Sequence, residues 1–304
     1  MRTLPLLLVL FALAGCGEDE AATDAAVRIE NKLGDVEIPE RPVRVVALDF
    51  PSADDAIALG VVPVGMAKVS YAPGGVQEWT RAALGDEQPE LLDVDAGMPL
   101  ERIAALRPDV ILATNAFGLA ESWDKLNRIA PVVAGLEGEG VDPWQDVALR
   151  IGRALGREDR ARELVRDVEA QVAGSRRFEG RTISFFNFFE GNPYVINAES
   201  DFSIRFLSEL GFRLPPRVAA LKGEEGRAKI SPERLETIDA DVIMGTSPTP
   251  DALDEFARGA LFRRLDGAWI SLQLAPATSM AFPSVLSIPY ALDELVPRLA
   301  EAVG

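Results

Sequence analysis

The chain has 304 residues and a formal net charge of −17, from 31 Lys and Arg against 48 Asp and Glu, with no histidine. Without histidine, Ser-His-Asp and Cys-His nucleophiles and His-ligated zinc, copper or non-haem iron sites are excluded. No Lys/Arg-rich stripe offsets the acidity, which excludes nucleic acid as a partner, and the length suits two domains of comparable size.

The chain opens with MRTLPLLLVLFALAG. Arg2 precedes an apolar run from Leu4 to Leu13, far short of the ~20 residues of a membrane-spanning helix, and this reads as the core of a secretory signal over residues 1–15. The run ends in Leu13-Ala14-Gly15-Cys16 and is similar to a bacterial lipoprotein signal, in which Cys16 is lipidated and becomes the mature N-terminus. It is the single cysteine, so the mature chain has no disulfide. Residues 17–26, GEDEAATDAA, read as a flexible tether. Val27–Glu30 and Asp35–Ile38 alternate apolar and polar about Gly34, which predicts a short hairpin, and Pro39 and Pro42 close it.

Arg44-Val45-Val46-Ala47-Leu48 is an apolar run of the kind found in buried parallel strands. A helix follows, with Ser52 as its expected N-cap and Gly60 as its stop. Val61–Met66 reads as a second strand, and Leu91–Val94 as a third. A helix over Leu100–Leu106 leads into the strand Val110–Ala113. This alternation predicts a doubly wound lobe over residues 43–156. Its last helix is Pro143–Leu155, where Trp144, Val147, Ala148, Ile151 and Leu155 share a face and Gly156 ends the run. Glu158 to Ser175 then carries Ala161, Leu164, Val165, Val168 and Val172 at helical spacing, with charge on its other face.

After Gly180 the β/α pattern restarts. Thr182–Phe188 is an aromatic-rich strand, and a helix over Phe202–Leu210 stops at Gly211. Pro232–Ile238 and Asp241–Met244 form another helix–strand unit. A last helix runs over Ser284–Ala300, interrupted by Pro289 and Pro297. One phrase occurs twice, at a constant offset of 132 residues: PLERIAALRPDVIL from Pro99 and SPERLETIDADVIM from Ser231. Glu, Arg, Asp, Val and Ile are identical, and an acid stands third in each.

No motif carries catalysis. A GxxxxGK[ST] loop, a GxGxxG turn and a GxSxG elbow are all missing. Asp93-Val94-Asp95-Ala96-Gly97 lacks the further acids of a calcium loop. The reading is of a non-enzyme with no resident metal or cofactor.

Four ordered phrases carry a family resemblance: RVVALDFPSADDAIALGVVPVG, PLERIAALRPDVILA, IGRALGREDRARELV and LFRRLDGAWISLQLAPATSMAFPSVLSIPYALDEL. From about Val43 to the C-terminus the chain resembles the iron–siderophore and vitamin B12 (class III) solute-binding lipoproteins of bacterial ABC importers. The resemblance implies an α/β fold of two Rossmann-like lobes, residues 43–156 and 180–304, bridged by one long helix over residues 157–179. Residues 16–42 precede them as lipidated cysteine, tether and hairpin. It implies a monomer, lipid-anchored outside the cytoplasm, that delivers its ligand to an ABC permease and its ATPase. It also implies that Glu101 and Glu233, one per lobe, dock into basic pockets of that permease. Helical first-turn acids also stabilise the macrodipole, which explains either glutamate singly.

The ligand is expected between the lobes, outside the strands' C-terminal ends. Lobe one offers Phe50, Tyr71, Asp95, Met98 and Phe117; lobe two offers Phe189, Glu190, Arg227, Met280 and Phe282. Arg213 and Arg217 are further basic candidates. An aromatic cleft with few charges suits a ferric siderophore, with a lean to neutral or cationic hydroxamate complexes over catecholate or citrate. Cobalamin or haem stands as the alternative ligand. A chelatase-like enzyme of related architecture and a purely structural lipoprotein are the readings from other classes; the signal segment and missing histidine oppose the first, the paired glutamates the second.

Overall fold

The computed structural model describes residues 26–39, 41–137 and 142–304. The signal segment, Cys16 and all but the last residue of the tether lie outside the described residues. No helix among the described residues is long and apolar enough to cross a membrane.

A hairpin of β1 (Val27–Ile29) and β2 (Val36–Ile38) pairs Val27 with Ile38, as the alternation predicts. The first lobe then runs β3 (Val45–Ala47), α1 (Phe50–Ala58), β4 (Gly65–Ala67), α2 (Glu78–Leu84), β5 (Glu90–Leu92), α3 (Leu100–Ala105), β6 (Val110–Ala113), α4 (Leu119–Asn127), β7 (Val132–Ala134) and α5 (Trp144–Ala154). Its sheet has the order β5-β4-β3-β6-β7, all parallel. Alternate residues feed opposite faces: Val45, Ala47, Val110 and Leu112 pack on one side, Val46, Ile111 and Val132 on the other. Both faces are covered, which is why these strands read as unbroken apolar runs.

The second lobe runs β8 (Ile183–Phe189), β9 (Asn192–Ile196), α7 (Phe202–Glu209), α8 (Pro216–Ala219), β10 (Arg227–Lys229), β11 (Val242–Thr246), α9 (Pro250–Ala257), β12 (Ala268–Leu272), α10 (Leu274–Ala281) and α11 (Ser287–Val303). Its sheet order is β10-β9-β8-β11-β12. β8, β11 and β12 run parallel in the same relative places as β3, β6 and β7, while β9 is antiparallel to both its neighbours.

Between the lobes lies α6 (Glu158–Ser175), whose observed bounds are those its spacing predicts. Its 18 residues span about 27 Å. Ala161 near its start packs into the first lobe's core, while Val165, Val168 and Val172 pack into the second lobe's. The bridge is therefore built from one apolar stripe shared by two cores. Gly152 lets α5 cross it closely: a Cβ there would lie 2.4 Å from that of Ala161. Gly156, at φ 64°, makes the turn between the two helices.

Four local readings are corrected. The N-cap of α1 is Asp49, whose Oδ1 accepts from the Ser52 amide at 2.8 Å; Pro51 sits within the first turn, where no intrahelical donor is needed. Pro63 confines the second strand to Gly65–Ala67, since it breaks the run of donors. The repeated unit at Pro232–Ile238 is a 3-10 segment kinked at Arg234, where φ is −115°. α11 starts at Ser287; Ser284 precedes it as an exchange of caps, donating its amide to Ser287 Oγ and accepting the Ser287 amide.

The lobes are also fastened by carboxylates. Asp54 and Asp55 lie buried side by side on α1. Ser284 Oγ donates to Asp54 Oδ2 at 2.8 Å, and the Val285 amide donates to Asp55 Oδ1 at 3.1 Å. Within the first lobe, Trp79 Nε1 and Thr80 Oγ1 also donate to Asp54, at 2.7 and 2.6 Å. Burial pushes the Asp54 carboxyl up to about 6, against the pull of its three donors, and pushes Asp55 up as well.

A group whose folded pKa is raised contributes stability that is full below its unfolded value, near 4, and lost as pH rises through about 6. In Asp54→Asn the amide nitrogen replaces Oδ1 and donates to Thr80, while the remaining oxygen keeps Trp79 and Ser284. The stability of the native chain relative to this variant falls by on the order of 3 kcal/mol between pH 4 and pH 7. Urea unfolding of both proteins across that range measures it; parallel pH profiles would contradict it.

Candidate functional site

In a doubly wound sheet a ligand sits outside the strands' carboxyl ends, where the strand order reverses. Here the reversal lies between β3 and β6. Chain leaving β3 supplies Leu48, Asp49 and Phe50, and chain leaving β6 supplies Asn115, Ala116 and Phe117. These residues line a cleft of about 550 Å³ with Tyr71, Val94, Asp95, Gly97, Met98 and Gly118. One residue of the second lobe, Phe282, closes the far wall.

The walls are joined across the lobes. The Phe50 and Phe282 rings meet edge to face, with centroids 5.6 Å apart. The Tyr71 hydroxyl lies 3.3 Å from Thr278 Oγ1 and accepts from Gln77 Nε2 at 3.3 Å. Burial, and to a lesser degree the nearby Asp95 charge, push the Tyr71 phenol above its ordinary value, so it stays protonated at neutral pH. Trp79 packs on Tyr290 of α11, and the Tyr290 hydroxyl donates to Glu78 at 2.9 Å.

At the base of the cleft Asp49 is occupied internally. Its Oδ1 accepts from the Ser52 amide, and its Oδ2 from Ser52 Oγ at 2.8 Å and the Asn115 amide at 3.0 Å. Burial raises its pKa despite these donors. This ties the two strand ends together and holds the cleft floor. The Asn115 side chain is buried beside it, and its Oδ1 has no hydrogen-bond partner among the described residues. Asp95 stands at the rim, where Ser70 Oγ donates to its Oδ2.

Of the expected ligand residues, the structure brings together Phe50, Tyr71, Asp95, Met98, Phe117 and Phe282 on this cleft. It does not bring four others there. Met280 is 1% exposed and packs in the second lobe's core. It lies two positions from Phe282, and residues so spaced along a helix face different ways. Phe189 ends β8, paired with Asn192 of β9, and Glu190 opens the turn after it, both exposed. Arg227 sits on the edge strand β10, 3.7 Å from Asp201. Arg213 pairs through its backbone with Thr182, and Arg217 bonds the Asp239 carbonyl. No Lys or Arg lines the cleft among the described residues.

Sequence reasoning missed Asp49, Asn115, Ser70 and Thr278. A signal existed for the first two, since each follows a buried strand at the reversal point. Ser70 and Thr278 had none, because only the tertiary fold sets them against Asp95 and Tyr71.

The chain matches the periplasmic binding protein family over residues 45–268. It is 26% identical to the "Probable siderophore-binding lipoprotein YfiY" of Bacillus subtilis over 252 residues, covering 78% of this chain and 75% of the relative. The fold superposes on a periplasmic solute-binding protein of Mycobacterium smegmatis with TM-score 0.79 and 30% identity, covering 92% of this chain and 100% of the other. It also superposes on PiaA of Streptococcus pneumoniae in complex with ferrichrome, with TM-score 0.77 and 26% identity, covering 91% and 98%. The chain belongs to the periplasmic binding protein family, a family of transport components rather than enzymes.

Proposed function

We propose that this periplasmic binding protein captures a ferric siderophore in the β3/β6 cleft and delivers it to an ABC permease. The observation that carries the reading is the cleft itself: large, aromatic on both lobes, at the sheet's reversal point and, among the described residues, lined by no Lys or Arg. Relatives and structural neighbours named for a ligand are named for siderophores, ferric citrate or ferrichrome. Aromatic rings give a bulky chelate contact area at little entropic cost. A citrate or catecholate complex carries net negative charge and calls for Arg donors; the candidate arginines point elsewhere. The ligand is therefore a neutral or cationic complex, which favours hydroxamates. The iron is cargo, held by the chelator.

The permease reading rests on Glu101 and Glu233. Both are exposed, each in the first turn of the short segment that precedes β6 or β11. β6 and β11 hold matching places in the two sheets, so each lobe carries its acid just ahead of the corresponding strand, Glu101 on an α-helix and Glu233 on a 3-10 segment. Its own backbone amide and the Ser231 side chain hold the Glu233 carboxyl below the usual range, keeping it charged. Paired acids on a rigid body give orientation and a salt-sensitive association rate. Lipidation at Cys16 holds the protein at the outer face of the cytoplasmic membrane, where the permease is.

Trp144 shares a small inter-lobe cavity with Asn115, so a ferric chelate in the cleft quenches its fluorescence. Titration with a ferric hydroxamate is expected to give saturable quenching with a sub-micromolar Kd; no response to hydroxamate, catecholate and citrate complexes alike would sink the siderophore reading. Separately, the double variant Glu101→Ala, Glu233→Ala is expected to lose uptake of radioactive iron in cells while its ligand Kd stays within about twofold of the native value, because exposed surface changes away from a site leave it intact. Uptake that survives both changes would remove the docking roles.

A further inference from the structure

One charged side chain at the cleft rim keeps an oxygen free among the described residues. Asp95 takes part in no ion pair among the described residues, and of its two oxygens one accepts from Ser70. Neither Lys nor Arg lines the cavity among the described residues. With Asp95, the rings of Phe50, Tyr71, Phe117 and Phe282 line the same cavity. Phe117 is 69% exposed, which is costly for a Phe in water and leaves its face available to a ligand.

A carboxylate set among aromatic faces is a site for an organic cation. The ring faces carry negative quadrupole potential and attract ammonium groups, and the carboxylate supplies the opposite charge at the rim. A carboxylate arm on the ligand would meet Asp95, which repels it. A neutral amide arm would leave Asp95 no counter-charge. A protonated amine matches the Asp95 carboxylate and the rings.

We propose that the chelate taken by this cleft carries a protonated alkylamine arm, and that Asp95 with the surrounding aromatic rings selects for it. Asp95 is thus a specificity-determining residue. The proposal rests on the reading of the cleft as a ferric-siderophore site and adds the charge of the ligand's free arm to it.

Three ferric trihydroxamates separate the possibilities: ferrioxamine B, with a free ammonium arm; N-acetyl-ferrioxamine B, the same chelate with a neutral arm; and ferrichrome, with no arm. Calorimetric titration of the intact chain is expected to show ferrioxamine B binding about tenfold or more tighter than its acetylated form, a difference of ~1.4 kcal/mol. The preference is expected to shrink as salt is raised. Asp95→Asn is a change at an exposed position and leaves folding unaffected. In that variant the two ferrioxamines bind within about twofold of each other, at the native protein's acetylated-form affinity. Equal native affinity for both, or a preference that persists in Asp95→Asn, overturns the ammonium-arm proposal while leaving the siderophore reading in place. Binding of none of the three overturns both.

Discussion

The structure depends on two carboxylates buried where the lobes meet. Asp54 and Asp55 receive the Ser284 hydroxyl and the Val285 amide from the far lobe, across 230 residues of chain. Those donors belong to the turn between α10 and α11, and Phe282 stands just before it. By fixing that turn against α1, the two aspartates set the Phe282 ring on Phe50 and so bring the cleft's walls together. Burying unpaired charge is expensive. The raised pKa values of both groups are how the fold limits that cost, and among the described residues neutral hydrogen-bond donors, with no Lys or Arg, hold them in place.

The same economy of charge governs the cleft. Sheet reversal between β3 and β6 opens a crevice that a ligand can enter. Asp49 spends its lone pairs on Ser52 in the first turn of α1 and on the Asn115 amide after β6, so it shapes the floor rather than facing the ligand. What remains for recognition is aromatic surface and one rim carboxylate. An acidic protein of net charge −17, whose cleft is lined by no Lys or Arg among the described residues, repels anionic chelates at long range and offers them no Arg cluster at contact.

The fold was largely legible because its signals are local. Helical spacing shows α6, which ends at Ser175 within the expected bridge of residues 157–179, and buried parallel strands show as Val- and Ile-rich runs. The lobe-one cleft residues Phe50, Asp95 and Phe117 follow strands whose ends can be read directly. Lobe two was harder. Its sheet contains the antiparallel β9 and β10, so Arg227 falls on an edge strand beside Asp201 instead of at a reversal point. Met280 and Phe282 are both large and apolar, and which one faces the cleft is decided by the end of α10. The Asp54–Asp55 fastening was invisible for a plainer reason: acids in a helix of an acidic chain look like solvated surface until the far lobe covers them.

The central claim is that a single ferric chelate sits at the junction of the lobes. Crystals grown with a ferric hydroxamate and measured at the iron absorption edge locate the metal without reference to any assumed pose. The account predicts one anomalous peak per chain, inside the cleft bounded by Phe50, Phe117 and Phe282. A peak elsewhere on the molecule, or none in crystals whose solution contains the intact chelate, would contradict it.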